Sequence, residues 1–202
     1  MQLNTTIPTL DRWRTAPSID TLRSLYDASA HEWHDNLARL GQLYDYQLLF
    51  ENPVVGDRLS HLDQTSQILD CGVGTGALSL ALLDHIDQPV HVSGVDISTP
   101  MLTHAQRNLK NRCPTLDLRW GNIRSLPFAD ASFDAVIFAH VLEHMADPVV
   151  TLREIVRVLK PSAPLIGSVT RQGLGQVLLS LRWRNRGYAA NQLDACLQTA
   201  GL

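Results

Sequence analysis

A chain of 202 residues, 45% hydrophobic and 18% charged, is long enough to bury one real core and leaves room for a small helical addition. Its formal net charge of -3 excludes the strong positive field that draws nucleic acid or an anionic membrane. No apolar run approaches the roughly 20 residues that a membrane span requires, and Met1 to Trp13 lacks the apolar stretch of a secretion signal. Cys71, Cys113 and Cys196 are an odd set without CxxC spacing and read as reduced thiols. The expectation is a cytoplasmic protein with no nucleic-acid partner and no membrane span; a homodimer stays open.

Met1 to Pro17 reads as a polar arm. From Ser18 to about Phe50, Ile19, Leu22, Leu25 and Tyr26 recur at helical spacing, followed by Trp33, Leu37, Leu40, Leu43 and Tyr44. That pattern predicts two helices before the first strand. Asn52-Pro53 marks a break, with a further helix over Val54 to Leu62. Residues 1–60 therefore read as an arm and helical cap, and residues 61–202 as the main domain.

From Gln67 onward, short apolar runs alternate with helical stretches. Ile68 to Asp70 is the first strand, a glycine-rich turn follows, and Ala77 to His85 is helical. His91 to Asp96 is the second strand and Pro100 to Asn111 the next helix. Leu116 to Trp120 is a short third strand. Phe133 to Ala139 is a continuous apolar run suited to a strand covered on both faces. Pro148 to Leu159 is a helix with apolar positions at Val149, Val150, Ile155, Val156 and Leu159, and Pro164 to Val169 is the fifth strand. Such alternation implies an α/β fold with a parallel sheet and right-handed crossovers.

The segment Asp70-Cys71-Gly72-Val73-Gly74-Thr75-Gly76 joins a strand to a helix, and its glycines let a ligand approach the backbone closely. Gly72, Gly74 and Ala77 also satisfy the dinucleotide pattern, with Asp96 placed where an acid takes a ribose, so a nicotinamide-dependent oxidoreductase is a rival reading. Asp70 separates the two. A carboxylate at the strand end would repel a pyrophosphate and suit a cationic ligand.

The chain then resembles a known family. ILDCGVGTG is similar to the first motif of class I methyltransferases, and VSGVDISTPML to their second-strand motif. WGNIRSLPFADASFD resembles the third motif. AVIFAHVLEHMADP and LREIVRVLKP resemble the fourth-strand and following-helix patterns of the type 11 small-molecule methyltransferases. The resemblance implies a Rossmann-like three-layer sandwich, a mostly parallel sheet of order 3-2-1-4-5, and an N-terminal helical cap. It implies S-adenosylmethionine as donor, S-adenosylhomocysteine as product and a small-molecule acceptor. In that pattern Asp70, Gly72, Gly74 and Gly76 form the donor loop, Asp96 binds the ribose hydroxyls, and Ile97 and Met101 flank the adenine. Asn122, in place of the usual Asp, lies near the adenine amino group with Ile123 beside it. Pro161-Ser162-Ala163-Pro164 replaces the usual Pro-Gly-Gly. The family's sixth and seventh strands have no counterpart before Leu202.

His140 and His144 follow the fourth strand, where open α/β sheets place their ligands, and their spacing puts them on one helical face. Enclosing the donor and packing are the ordinary roles, with general base as the catalytic alternative for either. Glu143 between them reads as solvated or paired, and the pair alone does not indicate a metal. Tyr26, His31, Trp33 and His34 read as helix packing or as a lid in which Tyr26 touches the donor. Arg171, Arg182, Arg184 and Arg186 read as a solvated surface, or as a site for a substrate carboxylate or phosphate. A methyltransferase-like module that binds without catalysing is the remaining alternative.

Overall fold

The computed structural model describes residues 16–172 and 186–202. Five strands build one sheet: β1 (Gln67–Cys71), β2 (His91–Asp96), β3 (Leu116–Trp120), β4 (Ala135–Ala139) and β5 (Leu165–Ser168). Their order is β3-β2-β1-β4-β5, and each pairing is parallel. This is the expected Rossmann-like sheet. Central strands of such a sheet are covered on both faces and so read as unbroken apolar runs. Side chains alternate accordingly: Ile68, Ala135 and Ile137 enter one core, whereas Leu69, Cys71, Val136 and Phe138 enter the other.

The first core is completed by α5 (Ala77–His85), α6 (Thr99–Leu109) and three earlier helices, the second by α7 (Pro148–Val158) and α8 (Ala190–Ala200). On α7 the buried positions are Pro148, Thr151, Leu152, Ile155 and Val158, while the predicted apolar position Val150 is exposed. Ser98, Asn52 and Asp147 cap α6, the helix Pro53–Leu59 and α7 with their side-chain oxygens, and Pro follows within the first turn of each. In place of the family's glycine, Ser162 takes the left-handed conformation at φ 66.

The N-terminal region departs from the two predicted helices. It forms α1 (Ile19–Ser29), a 3-10 turn (Ala30–Glu32), α2 (Trp33–Arg39), α3 (Gln42–Glu51) and α4 (Pro53–Leu59). The second predicted helix is cut at Gly41, whose φ of 75 no helix accommodates. Leu37, Tyr46, Phe50 and Leu59 share a core cluster with β1 and α5. The helices from α2 onward are therefore built into the sheet's own packing.

Candidate functional site

The strand order reverses at β1, and the carboxyl ends of β1, β2 and β4 open into a cavity of about 420 Å³. That position and size fit a ligand site in an open α/β sheet. Residues of α1, α2 and α3 supply its other wall, including Leu22, Tyr26, Trp33, Leu37 and Tyr46.

At the end of β1 the chain turns through Gly72, Gly74 and Gly76, all with positive φ. Gly74 lines the cavity, and a Cβ placed there would come no nearer than 3.8 Å to its first neighbour, Trp33 Nε1. The backbone is thus bare toward open space, where a ligand can touch it. Gly72 also lines the cavity, but a Cβ there would lie 2.5 Å from Val141 Cγ2. Gly76 falls outside the lining and caps α5; a Cβ there would strike Leu109 of α6 at 2.8 Å.

Asp70 lies on the cavity wall yet is only 1% exposed, and it accepts a 2.6 Å hydrogen bond from the Ser79 hydroxyl. Burial pushes its carboxyl up to about 7; Asp96 pushes the same way, and the Ser79 bond opposes both. Asp96, at the end of β2, accepts from Gly74 N–H through Oδ2 and from Ser98 N–H through Oδ1, each at 2.9 Å. Burial again raises its carboxyl, to about 6, against those N–H bonds and with help from Asp27. Since Ser98 caps α6, Asp96 is left to face the cavity. Ile97, Met101, Asn122 and Ile123 line the same end. Arg124 is the one lysine or arginine on this lining among the described residues, and it is exposed.

His140 and His144 both line the cavity, but they do not share a helical face. His140 ends the strand region in a left-handed conformation at φ 54, and a 3-10 turn (Leu142–His144) follows. The reversal right after β4 leaves no room for the α-helix that the spacing predicted. Tyr26 Oη lies 2.7 Å from His144 Nε2, and its ring meets those of Trp33 and His144 edge-on. Burial pushes the His144 imidazole down to about 4 despite the Glu143 charge, so it is neutral at physiological pH. His140 Nδ1 lies 3.1 Å from Glu143 Oε1 and 3.2 Å from Thr170 Oγ1, and its Nε2 lies 3.3 Å from Gln42 Nε2.

Of the predicted donor-site residues, Tyr26, Asp70, Gly72, Gly74, Asp96, Ile97, Met101, Asn122, Ile123 and His140 come together on one lining; Gly76 does not. Glu143 is buried and paired rather than solvated. Gln42, Tyr46 and Thr170 carry no sequence signal, because only the tertiary fold brings them to His140. Arg182 and Arg184 lie outside the described residues; Arg171 is exposed, and Arg186 N–H donates to the Glu143 carbonyl.

A family model for a methyltransferase domain matches residues 69–166. Demethylmenaquinone methyltransferase of Lactiplantibacillus plantarum is 39% identical over 114 residues, which cover 55% of this chain and 48% of that protein. The 2-phytyl-1,4-naphtoquinone methyltransferase of Nostoc sp. is 36% identical over 97 residues, 47% of this chain and 42% of that one. This chain spans about half the length of the curated relatives it matches. Among solved structures, the 4+2 cyclase SpnF superposes with a TM-score of 0.72 at 25% identity, covering 92% of this chain and 74% of that one. Residues 69–166 therefore match a methyltransferase domain, and they lie on a Rossmann-like parallel sheet of order β3-β2-β1-β4-β5.

Proposed function

We propose that this protein transfers a methyl group from S-adenosylmethionine to a small aromatic acceptor and releases S-adenosylhomocysteine. The observation that carries the proposal is Asp70: a buried carboxylate on the cavity wall whose side-chain partner is a hydroxyl, on a lining whose one cationic side chain among the described residues is the exposed Arg124. Such a group is costly to ionise until a cation arrives. It favours a ligand bearing ammonium and sulfonium charge and disfavours the pyrophosphate of a nicotinamide dinucleotide.

The remaining residues fit the same donor. Asp96 would accept the ribose hydroxyls, Ile97 and Met101 would flank the adenine, and Asn122 with Ile123 would meet its edge. Gly72 and Gly74 would give the donor's amino-acid end a bare backbone, while Gly76 acts by holding α5 against α6. Tyr26 and His140 would cover the donor. S-adenosylmethionine brings an already activated methyl group, so the chain's contribution is positioning and water exclusion. Tyr26 and Trp33 supply the flat walls for that.

The relatives' names supply the acceptor class, since both act by name on naphthoquinone-type compounds. An apolar wall of Leu22, Tyr26, Trp33, Val141 and Met145 supports the same choice. Cytoplasmic location belongs to the same proposal, supported by three unpaired cysteines and by the lack of any helix among the described residues long and apolar enough to cross a membrane. We extend it to action without a nucleic-acid partner, as monomer or homodimer.

A second reading is a methyltransferase-like protein that binds the donor without transferring its methyl group, favoured by the superposition on a protein named for ring-forming chemistry. Calorimetry with S-adenosylmethionine, followed by S-adenosylhomocysteine release across a panel of hydroxylated aromatics, separates the readings. Binding with release is expected. Binding without release on any acceptor establishes the second reading, and binding of a nicotinamide dinucleotide instead would overturn both.

A further inference from the structure

We infer that the outer face of α3 pairs antiparallel with the same face of a second copy of this chain, making the protein a homodimer. The inference goes beyond the methyl-transfer reading and does not depend on it.

α3 is apolar on two sides. Tyr46 and Phe50, four residues apart, are buried and join the core cluster shared with β1 and α5, and Tyr46 also lines the cavity. Tyr44 and Leu48 are likewise four apart and so share a face. At about 100° per residue, that face lies nearly opposite Tyr46 and Phe50. Tyr44 is 62% exposed and Leu48 43%. Leu40 stands just ahead of the helix at 55%, and Val54 just beyond it at 70%. Residues 40–54 thus carry half of the eight exposed large apolar side chains among the described residues, while Ile19, Trp120, Val150 and Leu202 are scattered over other elements. A surface helix buries one apolar stripe against its core. The second stripe stays open to solvent.

The four side chains expose on the order of 400 Å² of apolar surface, the size of patch that marks an interaction site. Pairing two copies removes about twice that area, and a polar rim brings the total to the roughly 1,200 Å² at the low end of specific interfaces. Helix axes about 8–10 Å apart would set Tyr44 of each copy against Leu48 of the other.

Charge selects the occupant and the direction. Arg39 ends α2 just ahead of α3, and Glu51 is the last residue of α3. Both are exposed, and neither has an ion-pair partner among the described residues. Antiparallel pairing brings the start of one helix to the end of the other, so Arg39 of each copy meets Glu51 of its mate, once on either side of the two-fold axis. Parallel pairing would set like charges together. An anionic lipid surface fits the face poorly, because the exposed carboxylates of Asp45, Glu51 and Asp57 surround it. The inner side of the same helix carries Tyr46 on the cavity lining and Gln42 at 3.3 Å from His140 Nε2. Pairing on the outer side therefore braces the cavity wall from behind and leaves α1 outside the contact.

Analytical ultracentrifugation of the full chain at micromolar concentration should find a monomer–dimer equilibrium. Leu48→Asp, which puts a charge at the centre of the contact in both copies, should weaken the dimer by about a hundredfold while circular dichroism keeps its helix content. Tyr44→Ser, a milder change at an exposed position, should weaken it by about tenfold and carries the test should Leu48→Asp not fold. Arg39→Glu and Glu51→Arg should each weaken it by about fivefold, since symmetry counts the exposed pair twice, and the double exchange should restore it. A chain that stays monomeric, or a dimer that both Leu48→Asp and Tyr44→Ser leave intact, overturns the inference. A double exchange that restores nothing overturns the antiparallel direction. A monomer whose binding to phosphatidylcholine vesicles is lost in Leu48→Asp gives the face to lipid and overturns the second copy as its occupant.

Discussion

Lowering the pH from 7.5 to 6 should weaken S-adenosylmethionine binding by roughly an order of magnitude, chiefly through Asp70. In the ligand-free protein this carboxyl titrates at about 7 because burial disfavours its charged form. It is then about three-quarters ionised at pH 7.5 and about one-tenth at pH 6, a ratio of about eightfold. A cation binds the ionised form, so affinity rises with pH and binding expels a proton. Asp96, raised to about 6, adds about a further twofold over the same range if its ionised form is the better acceptor. Calorimetry in two buffers of different ionisation enthalpy reads both affinity and proton release. Asp70→Asn should lower affinity at pH 7.5 and remove most of the slope. The sign for folding is opposite. A carboxyl raised in the folded state adds stability below its unfolded value near 4, and that stability is lost as pH rises toward 7. At pH 8, Asp70→Asn should therefore raise the melting temperature of the ligand-free protein, by a gain on the order of 1 kcal/mol after the new amide's unpaired donors are counted. An affinity flat from pH 6 to 7.5, with no proton released, would refute the placement of Asp70 against the ligand's positive charge.

Asp96→Ala should weaken donor binding by about 2 kcal/mol, the loss of charge-assisted acceptors for two hydroxyls; unchanged affinity with an intact fold would end the ribose assignment. Gly74→Val should abolish donor binding and leave the sheet formed by circular dichroism, because a branched side chain would enter open cavity from a left-handed backbone. Near-normal binding would mean that the loop does not face the ligand. Hydrogen exchange should slow in α1 when S-adenosylhomocysteine binds, while α3, anchored by buried Tyr46 and Phe50, should already be protected without it. Tyr26→Ala should then reduce donor affinity or turnover more than stability, and equal protection of α1 in both states would make it a fixed wall.

The strands were legible because each element of a parallel sheet is short, apolar and bounded by turn residues. His91 to Asp96 and Leu116 to Trp120 match the observed β2 and β3 at both ends. The predicted fourth strand began two residues early, since Phe133 makes only an isolated bridge to Leu159 before β4 begins at Ala135. The observed caps Ser98, Asn52 and Asp147 each stand just ahead of a proline in the first helical turn. The cap helices were harder. Helical periodicity runs across Gly41, and only the packing of Tyr46 and Phe50 against β1 and α5 decides that the chain must turn there. That packing confines the proposed lid around Tyr26 to α1 and the residues beside it.

Within the site, what could be read was the chemistry of the strand ends; what could not was any pair joined across the fold. Asp70 and Asp96 announce themselves because an acid after an apolar strand, next to glycines, has few structural reasons to be there. Gly76 looked like its neighbours in the motif, yet its missing Cβ makes room for Leu109, more than thirty positions away in sequence but adjacent in space. The histidines show the same limit more sharply. A four-residue spacing carries a helical face only if the backbone is helical, and His140 is left-handed. That conformation sends the two rings to different partners: one to Tyr26 of α1, the other between Glu143 and Gln42 of α3. Spacing alone makes the two residues equivalent, and only their partners across the fold distinguish a ring held by Tyr26 from a ring held between Glu143 and Gln42.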